Sequence, residues 1–316
     1  MSTTTILLLS VDEAPMLAHS LPAALAQAGA EVVVVDNAST DATPDLATRL
    51  GARHLRLDRR RSYAAALNLA IAATAGDAVL LLNADCILEP SFLTLARPRL
   101  DEPGVGSVAP MLLRLAGPDR PLGQLDTAGM IVDRRRKNGL VGHAQPAGSF
   151  SVPGEAFGAD GAAALYRRET LEDCALDGTE VLDEDMELWA SDADLAWRAR
   201  LYGWRCLYEP RAIGHHIRTY SPSTRAQMSE AARRMQFRNR YLMMIKNETG
   251  RGLARDGARI AGYELLALGH TLLRERHLLG GYRDAARLAG AARARRRLVQ
   301  ARRRVAVPPF GLQARR

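Results

Sequence analysis

The 316-residue sequence predicts an α/β domain built on a largely parallel sheet, followed by a helical extension. Three observations carry that prediction. The first eighty residues alternate short apolar runs with helical stretches, the pattern of strands covered on both faces. The composition, 47% hydrophobic and 25% charged, is that of a globular chain and excludes wholesale disorder. After His216 the strand signal gives out and helical spacing takes over.

The elements follow in order. Thr5–Leu9, Glu31–Val35, Arg53–Leu57 and Ala78–Leu82 read as strands, being short and β-branched or Leu-rich. Helices are expected at Pro15–Ala28, Pro44–Leu50 and Ser62–Ala75. Thr43, Pro44 and Asp45 supply a cap, a first-turn proline and an acid against the helix dipole. The Gly- and Pro-rich segments Ala116–Gly123 and Ala144–Gly154 read as loops, with a basic turn at Arg134–Gly139 between them. A strand–helix unit is expected around Gly161–Glu172, then a helix Ser191–Tyr202 closed by Gly203. A strand Arg205–Tyr208 stops at Pro210, and helices Thr224–Asn247, Arg251–Leu279 and Tyr282–Arg304 complete the chain. The expected division is an α/β domain over 1–248 and a helical, arginine-rich extension over 249–316.

Charge is unevenly spread. The net charge is +8, yet the 34 residues from Arg283 to Arg316 hold eleven arginines and one acid, Asp284, leaving the first 282 residues at −2. No apolar run reaches the ~18–20 residues of a membrane span, and no signal-type leader opens the chain. Cys86, Cys174 and Cys206 form no C-x-x-C pair, which argues against a disulfide framework or zinc site and places the chain in a reducing cytoplasm.

Chemistry-bearing residues gather where strands end. Asp36 and Asn37 close Val32-Val33-Val34-Val35, and a carboxylate there stands where open α/β sheets bind ligands. The same pair also suits a plain turn. Asn83 and Asp85 follow Leu80-Leu81-Leu82 and share one face of an extended chain. Asp85 suits an oxygen-ligand cation, Mg2+ or Mn2+. The most acidic stretch runs from Asp183-Glu184-Asp185 to Asp192-Ala193-Asp194. It reads as a rigid mount for a general base or, equally, as a capping box of Ser191 with Asp194. His215 and His216 follow the turn at Pro210, and an imidazole there completes a cation's shell if Asp85 begins one.

Taken together, residues 4–248 resemble the inverting family-2 glycosyltransferases, in particular the rhamnosyltransferase-like branch with a GT-A fold. The elements come in the family's order: Val-Val-Asp36-Asn37-Ala-Ser-Thr-Asp41, Tyr63-Ala-Ala-Ala-Leu-Asn68, Leu-Leu-Asn83-Ala-Asp85 and Asp160-Gly161-Ala-Ala. Then follow Leu-Asp183-Glu184-Asp185, Asp192-Ala-Asp194-Leu-Ala-Trp-Arg198, Gly203-Trp204, Pro210-Arg-Ala212 and His216. Arg238-Asn239-Arg240-Tyr241 and Lys246-Asn247-Glu248 match a helical motif that follows the catalytic domain in this branch. Ser10-Val11-Asp12 stands where the family usually carries Thr-Tyr-Asn, and Ser191 where it carries Glu.

The resemblance implies a metal-dependent transfer with inversion, from deoxythymidine-diphosphate rhamnose or another UDP- or GDP-linked sugar. The implied acceptor is a lipid-linked saccharide or cell-envelope glycan. It implies donor contacts from Asp12, Asp36, Asn37, Asn68 and Asn83, and an Mg2+ or Mn2+ ion held by Asp85 and His216. Asp192 is the implied base, with Asp160, Asp194 and Arg198 supporting the acceptor side. The arginine-rich C-terminal helices are expected to lie against the anionic cytoplasmic face of a membrane. Two other classes are weaker. A sugar nucleotidyltransferase needs a Gly-rich basic N-terminal loop, and Ile6–Ala14 has neither glycine nor Arg or Lys. A nucleic-acid binder needs more than the tail, which has no aromatics between Arg283 and Phe310, on a slightly acidic body.

Overall fold

The computed structural model describes residues 3–220 and 224–315. Its first third repeats strand then helix: β1 (Thr4–Ser10), α1 (Ala14–Leu25), β2 (Ala30–Asp36), α2 (Thr43–Arg49), β3 (Arg53–Arg56), α3 (Tyr63–Ala72), β4 (Ala78–Asn83). The middle holds β5 (Cys86–Leu88), α4 (Phe92–Ala96), β6 (Val105–Leu115), β7 (Pro121–Thr127), β8 (Met130–Val132) and β9 (Asn138–Leu140). It continues through β10 (Gly154–Ala156), β11 (Ala163–Arg167), α5 (Arg168–Cys174), α6 (Ser191–Leu201) and β12 (Arg205–His216). Three helices follow: α7 (Glu230–Asn247), α8 (Gly250–Leu273) and α9 (Leu279–Arg302).

One ten-stranded sheet runs β10-β12-β6-β11-β4-β1-β2-β3, with β5 added to β12 and β7 to β6. The block β3-β2-β1-β4 is parallel, as the alternating pattern predicts. Antiparallel β11 separates it from the parallel β6–β12 pair. Side chains alternate across this sheet, so each strand feeds two cores. Ile6, Leu8, Val32, Val34, Leu80 and Leu82 pack with α1, α2 and α4 on one face. Leu7, Leu9, Val33, Val35 and Leu81 pack with α3, α6 and α7 on the other.

The structure departs from the sequence reading where distant segments pair. The predicted loop Ala116–Gly123 runs into strand β7, and the basic turn at Arg134–Gly139 runs into β9, which pairs with β8. Pro210 does not end β12; a register shift between Glu209 and Ile213 absorbs it, and the strand continues to His216. The capping box of Ser191 and Asp194 does not form. Ala190, with φ +62°, is the N-cap of α6 and gives no side-chain cap bond, while Ser191 Oγ donates to the Leu188 carbonyl. Thr43 likewise begins α2 without capping it; Asp41 Oδ1 accepts the Thr43 N–H instead. The predicted helix Arg251–Leu279 breaks at Arg274–Glu275 before α9.

The extension folds back on the body. α9 lies along α7, and Arg304 and Val305 donate to the Leu201 carbonyl at the end of α6. Phe310 then enters the core, its ring 4.9 Å edge-on from Trp197 and 5.9 Å stacked from Phe157. Among the described residues, no helix is long and apolar enough to cross a membrane.

Candidate active site

The topological switch lies where β1 has β2 on one side and β4 on the other, and open α/β sheets bind ligands at the carboxyl ends there. A cavity of about 390 Å³ opens at that place. Val11, Glu13 and Asn37 line it from the ends of β1 and β2, and Asn83 and Asp85 from the end of β4. Arg60, Arg61 and Tyr63 enter from the start of α3, with Glu187, Leu188 and Met235 as the far wall. A larger recess of about 640 Å³ beside the C-terminal tail has neither carboxylate nor imidazole in its lining, so the smaller one is the candidate site.

Strand pairing brings Asp85 to His216. β5 runs antiparallel to the end of β12 in the register His216 to Cys86, and Ile217 N–H donates to the Asp85 carbonyl. His216 Nε2 lies 3.2 Å from Asp85 Oδ1, an oxygen that is buried and makes no well-formed hydrogen bond. A buried orphan carboxylate oxygen beside an imidazole nitrogen is a donor set that a divalent cation fits. Two protein ligands suit an ion whose other positions are filled by substrate phosphate and water. No group of three or more His, Cys, Asp or Glu that could hold a metal is present among the described residues. Burial disfavours charge on His216, but the hydrogen bond to Asp126 and the adjacent Asp85 carboxylate outweigh it and raise the ring to about 9.

Asp192 occupies the start of α6. Its Oδ2 accepts from Gly161 N–H at 3.2 Å and its Oδ1 from Ala193 N–H at 2.8 Å. Burial and the nearby Asp160 charge nevertheless push its carboxyl up to about 6. Gly161 keeps the approach open, since a Cβ there would meet Tyr63 Oη at 3.1 Å and Asp192 at 3.6 Å. The loop before α6 holds two non-glycine residues in the left-handed region, Glu187 at φ +60° and Ala190 at φ +62°. Such strain is characteristic of loops that position reactive groups.

The remaining sequence candidates divide into lining and support. Asn37 and Asn83 line the cavity. Asp36 does not. It is fully buried, accepts from Ser39 N–H, and binds His54 at 3.1 Å and Arg56 at 2.7 Å, so both its oxygens are taken by the protein. Asp12 turns to Thr40 and Arg60, and its neighbour Glu13 faces the cavity in its place, raised to about 7 by burial and the Asp85 charge. Asn68 clamps the Leu182 backbone through N–H and carbonyl and reaches Glu184, a strut between α3 and the acidic loop. Asp194 and Arg198 pair at 3.0 Å inside α6; Asp194 also meets Lys246 at 2.9 Å and Asn247 at 2.7 Å on α7. Asp160 binds Arg218 at 2.9 Å beside Asp192.

Four residues in or beside the candidate site escaped sequence reasoning: Glu13, which lines the cavity, and Asp126, His143 and Arg218, which group with His216. Arg218 lies two residues beyond His216, a spacing that places it on the same side of an extended chain and could have flagged it. Asp126 sits in a stretch with no periodic signal, and only the β6–β7 pairing reveals it.

A family model described as Glycosyl transferase family 2 matches residues 5–174. Among curated proteins, the TPR repeat-containing protein Synpcc7942_0270 of Synechococcus elongatus is 41% identical over 92 residues, 29% of this chain and 23% of that protein. The succinoglycan biosynthesis protein ExoO of Rhizobium meliloti is 34% identical over 105 residues, 32% of this chain and 30% of that protein. The chain thus spans less than a third of the length of these curated relatives. Among solved structures, GalNAc-T7 with UDP, GalNAc and Mn2+ matches with a TM-score of 0.61 at 15% identity, over 78% of this chain and 48% of that one. The mannosyltransferase PcManGT from Pyrobaculum calidifontis, in complex with GDP-Man and Mn2+, gives 0.53 at 21% identity over 94% and 78%. S. aureus TarS 1-349 gives 0.57 at 16% identity over 95% and 90%. At these identities the likeness establishes the fold, a GT-A mixed sheet flanked by helices.

Proposed function

Because the chain belongs to glycosyl transferase family 2, we propose that it moves a sugar from a nucleoside-diphosphate donor to an acceptor hydroxyl by single displacement with inversion. The observation that carries this reading is that two unlike groups stand beside one cavity. Asp85 lines it, with His216 3.2 Å from that carboxylate, and Asp192, raised to about 6, stands at the start of α6 close to Tyr63, another residue of the lining.

Each part has a task in the displacement. Asp85 and His216 would hold an Mg2+ or Mn2+ ion, which when bound would supply Lewis-acid stabilisation of the diphosphate charge. The acceptor oxygen forms its bond to the anomeric carbon as the bond to diphosphate breaks, and the hydroxyl proton passes to an Asp192 oxygen. A carboxyl near 6 is ionised at neutral pH and remains basic enough to take that proton. Asn37, Asn83 and the arginines Arg60 and Arg61 offer the donor polar contacts. The Leu188 and Met235 wall restricts water, which would otherwise compete for the sugar.

The donor reading of deoxythymidine-diphosphate rhamnose rests on the ordered motifs from Asp36 to Glu248, with UDP- and GDP-linked sugars as the alternative. The likeness to ExoO, named for succinoglycan biosynthesis, supports a saccharide acceptor. A panel of nucleotide sugars on the purified protein, read as nucleoside diphosphate release, tests the function. One donor class should be released in an Asp85-dependent manner; release from none of them sinks the reading.

A membrane-bound acceptor is supported by α8. Leu265, Leu266 and Leu273 on its outward face are 72%, 75% and 81% exposed, with exposed Arg251, Arg255 and Arg259 nearer its start. Its acids turn inward: Asp256 pairs with Arg134 and Arg136, and Glu264 with Arg240. Leucines and arginines without exposed acids suit an anionic bilayer surface. The arginines of α9 are less free than the sequence suggests, since Arg295 binds Glu180 and Asp183, and Arg296 and Arg302 donate to backbone carbonyls. Leu266→Glu with Leu273→Glu should release the protein from anionic vesicles, and failure of the unaltered chain to sediment with them at low salt removes the idea.

A further inference from the structure

We propose that Asp126 is a positioning residue: it holds the His216 ring with Nε2 toward Asp85 and, through Arg218, ties that pair to Asp160 beside the base. This rests on the reading of Asp85 and His216 as the cation-holding pair. β7 and the end of β12 flank the end of β6 on its two sides, and their side chains meet over it. There Asp126, fully buried, accepts from His216 Nδ1 through Oδ2 at 2.9 Å. Arg218 Nε donates to both of its oxygens, at 2.8 and 3.0 Å. The other end of that guanidinium donates to Asp160 Oδ1 at 2.9 Å. His143 Nδ1 closes the group, 2.9 Å from the Asp126 carbonyl and 3.5 Å from its Oδ1.

The chemistry follows from what a carboxylate can do. An ionised carboxylate only accepts, so the proton of the 2.9 Å bond resides on His216 Nδ1. In the neutral ring that a cation would bind, the lone pair is left at Nε2, on the side where Asp85 Oδ1 lies. A carboxylate behind a ligating imidazole fixes both tautomer and ring angle and raises ligand basicity. The same carboxylate holds Arg218, which partly offsets Asp160 near Asp192. One residue thus sets the geometry on the cation side and the charge on the acceptor side. A merely structural Asp126 would neutralise two buried cations and leave ligand affinity unchanged in a folded variant.

The test is Mn2+ affinity, measured by electron paramagnetic resonance on the full chain without donor. Asp126→Asn should bind Mn2+ about 10–100-fold more weakly while keeping a cooperative thermal transition. His216→Gln should lose comparable affinity, and the double variant no more than the larger single loss, because Asp126 acts through His216. Affinity within twofold of the unaltered chain in folded Asp126→Asn, or fully additive losses, overturns the proposal. If Asp126→Asn does not fold, nitrogen-15 spectra of the unaltered chain with Mg2+ decide instead. They should show a proton on His216 Nδ1 and none on Nε2, and the reverse tautomer overturns the proposal. An unaltered chain that fails to bind Mn2+ removes the cation-site reading and this proposal with it, whereas binding that Asp126→Asn leaves intact removes this proposal alone.

Discussion

Asp160→Asn is the substitution that tests how the base is tuned. In the native protein the Asp192 carboxyl stands at about 6, against an ordinary 3.8, because it is buried and because Asp160 is close. A group at about 6 is roughly nine-tenths ionised at pH 7 and roughly one-tenth at pH 5. Acceptor-dependent kcat/KM should therefore fall about tenfold from pH 7 to pH 5. Asn at position 160 removes the repelling charge and leaves Arg218 less compensated, and both changes favour ionised Asp192. The acid limb should move down, by about one unit at most, since burial is the larger cause and persists. The assay is transfer rate against pH from 4.5 to 8 for the native chain, Asp160→Asn and Asp192→Asn. Asp192→Asn should lose the limb and about 10²–10⁴-fold of rate at pH 7 while still binding donor. A limb that stays put or moves up in Asp160→Asn refutes the electrostatic argument. The sign carries over to stability. A carboxyl raised in the fold binds its proton more tightly there than in the unfolded chain, so native stability falls as pH rises from about 4 to about 6. Asp192→Asn should thus melt higher than the native chain at pH 7 and alike at pH 4.

Two further substitutions probe the frame. Lys246→Met removes the cation that buried Asp183 and Asp194 share, and should cost about 3–5 kcal/mol in urea unfolding; a cost under about 1 kcal/mol would show that Arg198 and Arg295 suffice. Phe310→Ala empties a place against Trp197 and Phe157 and strips the ring under the Arg136 guanidinium, 3.7 Å away, and should cost about 3 kcal/mol or more by the same measurement.

The parallel block was legible because each of its strands is a local event. Val32–Val35 or Ala78–Leu82 declares itself by composition within five residues, and the polar residue that ends it marks the ligand side of the sheet. Asp85 and Asp192 stand beside readable elements, just past β4 and at the start of α6, whereas the strand that carries His216 runs on past Pro210, where the sequence reading ended it. The region from β6 to β10 was not legible. β6 pairs with β12, about a hundred residues away, and the β12 strand passes a proline only through a bulge that pairing creates. Asp126 is defined wholly by that long-range pairing, so no local pattern announces it. Asp36 shows the converse limit. Its position at a strand end was readable, whereas the engagement of its carboxylate by His54 and Arg56 depends on β3 lying alongside β2.

The burial of Phe310 has a consequence for biosynthesis. Domains begin folding while the chain is still being made, N-terminal parts first. The sheet strands are all complete by His216, yet Trp197 on α6 and Phe157 lack the ring that packs against both until residue 310 has left the ribosome. Over nearly a hundred residues of further synthesis, the helix that bears the base would rest on an unsealed core. A nascent chain stalled before Phe310 should therefore recruit chaperones and resist proteases poorly, and become compact only when the last segment threads beneath the helix.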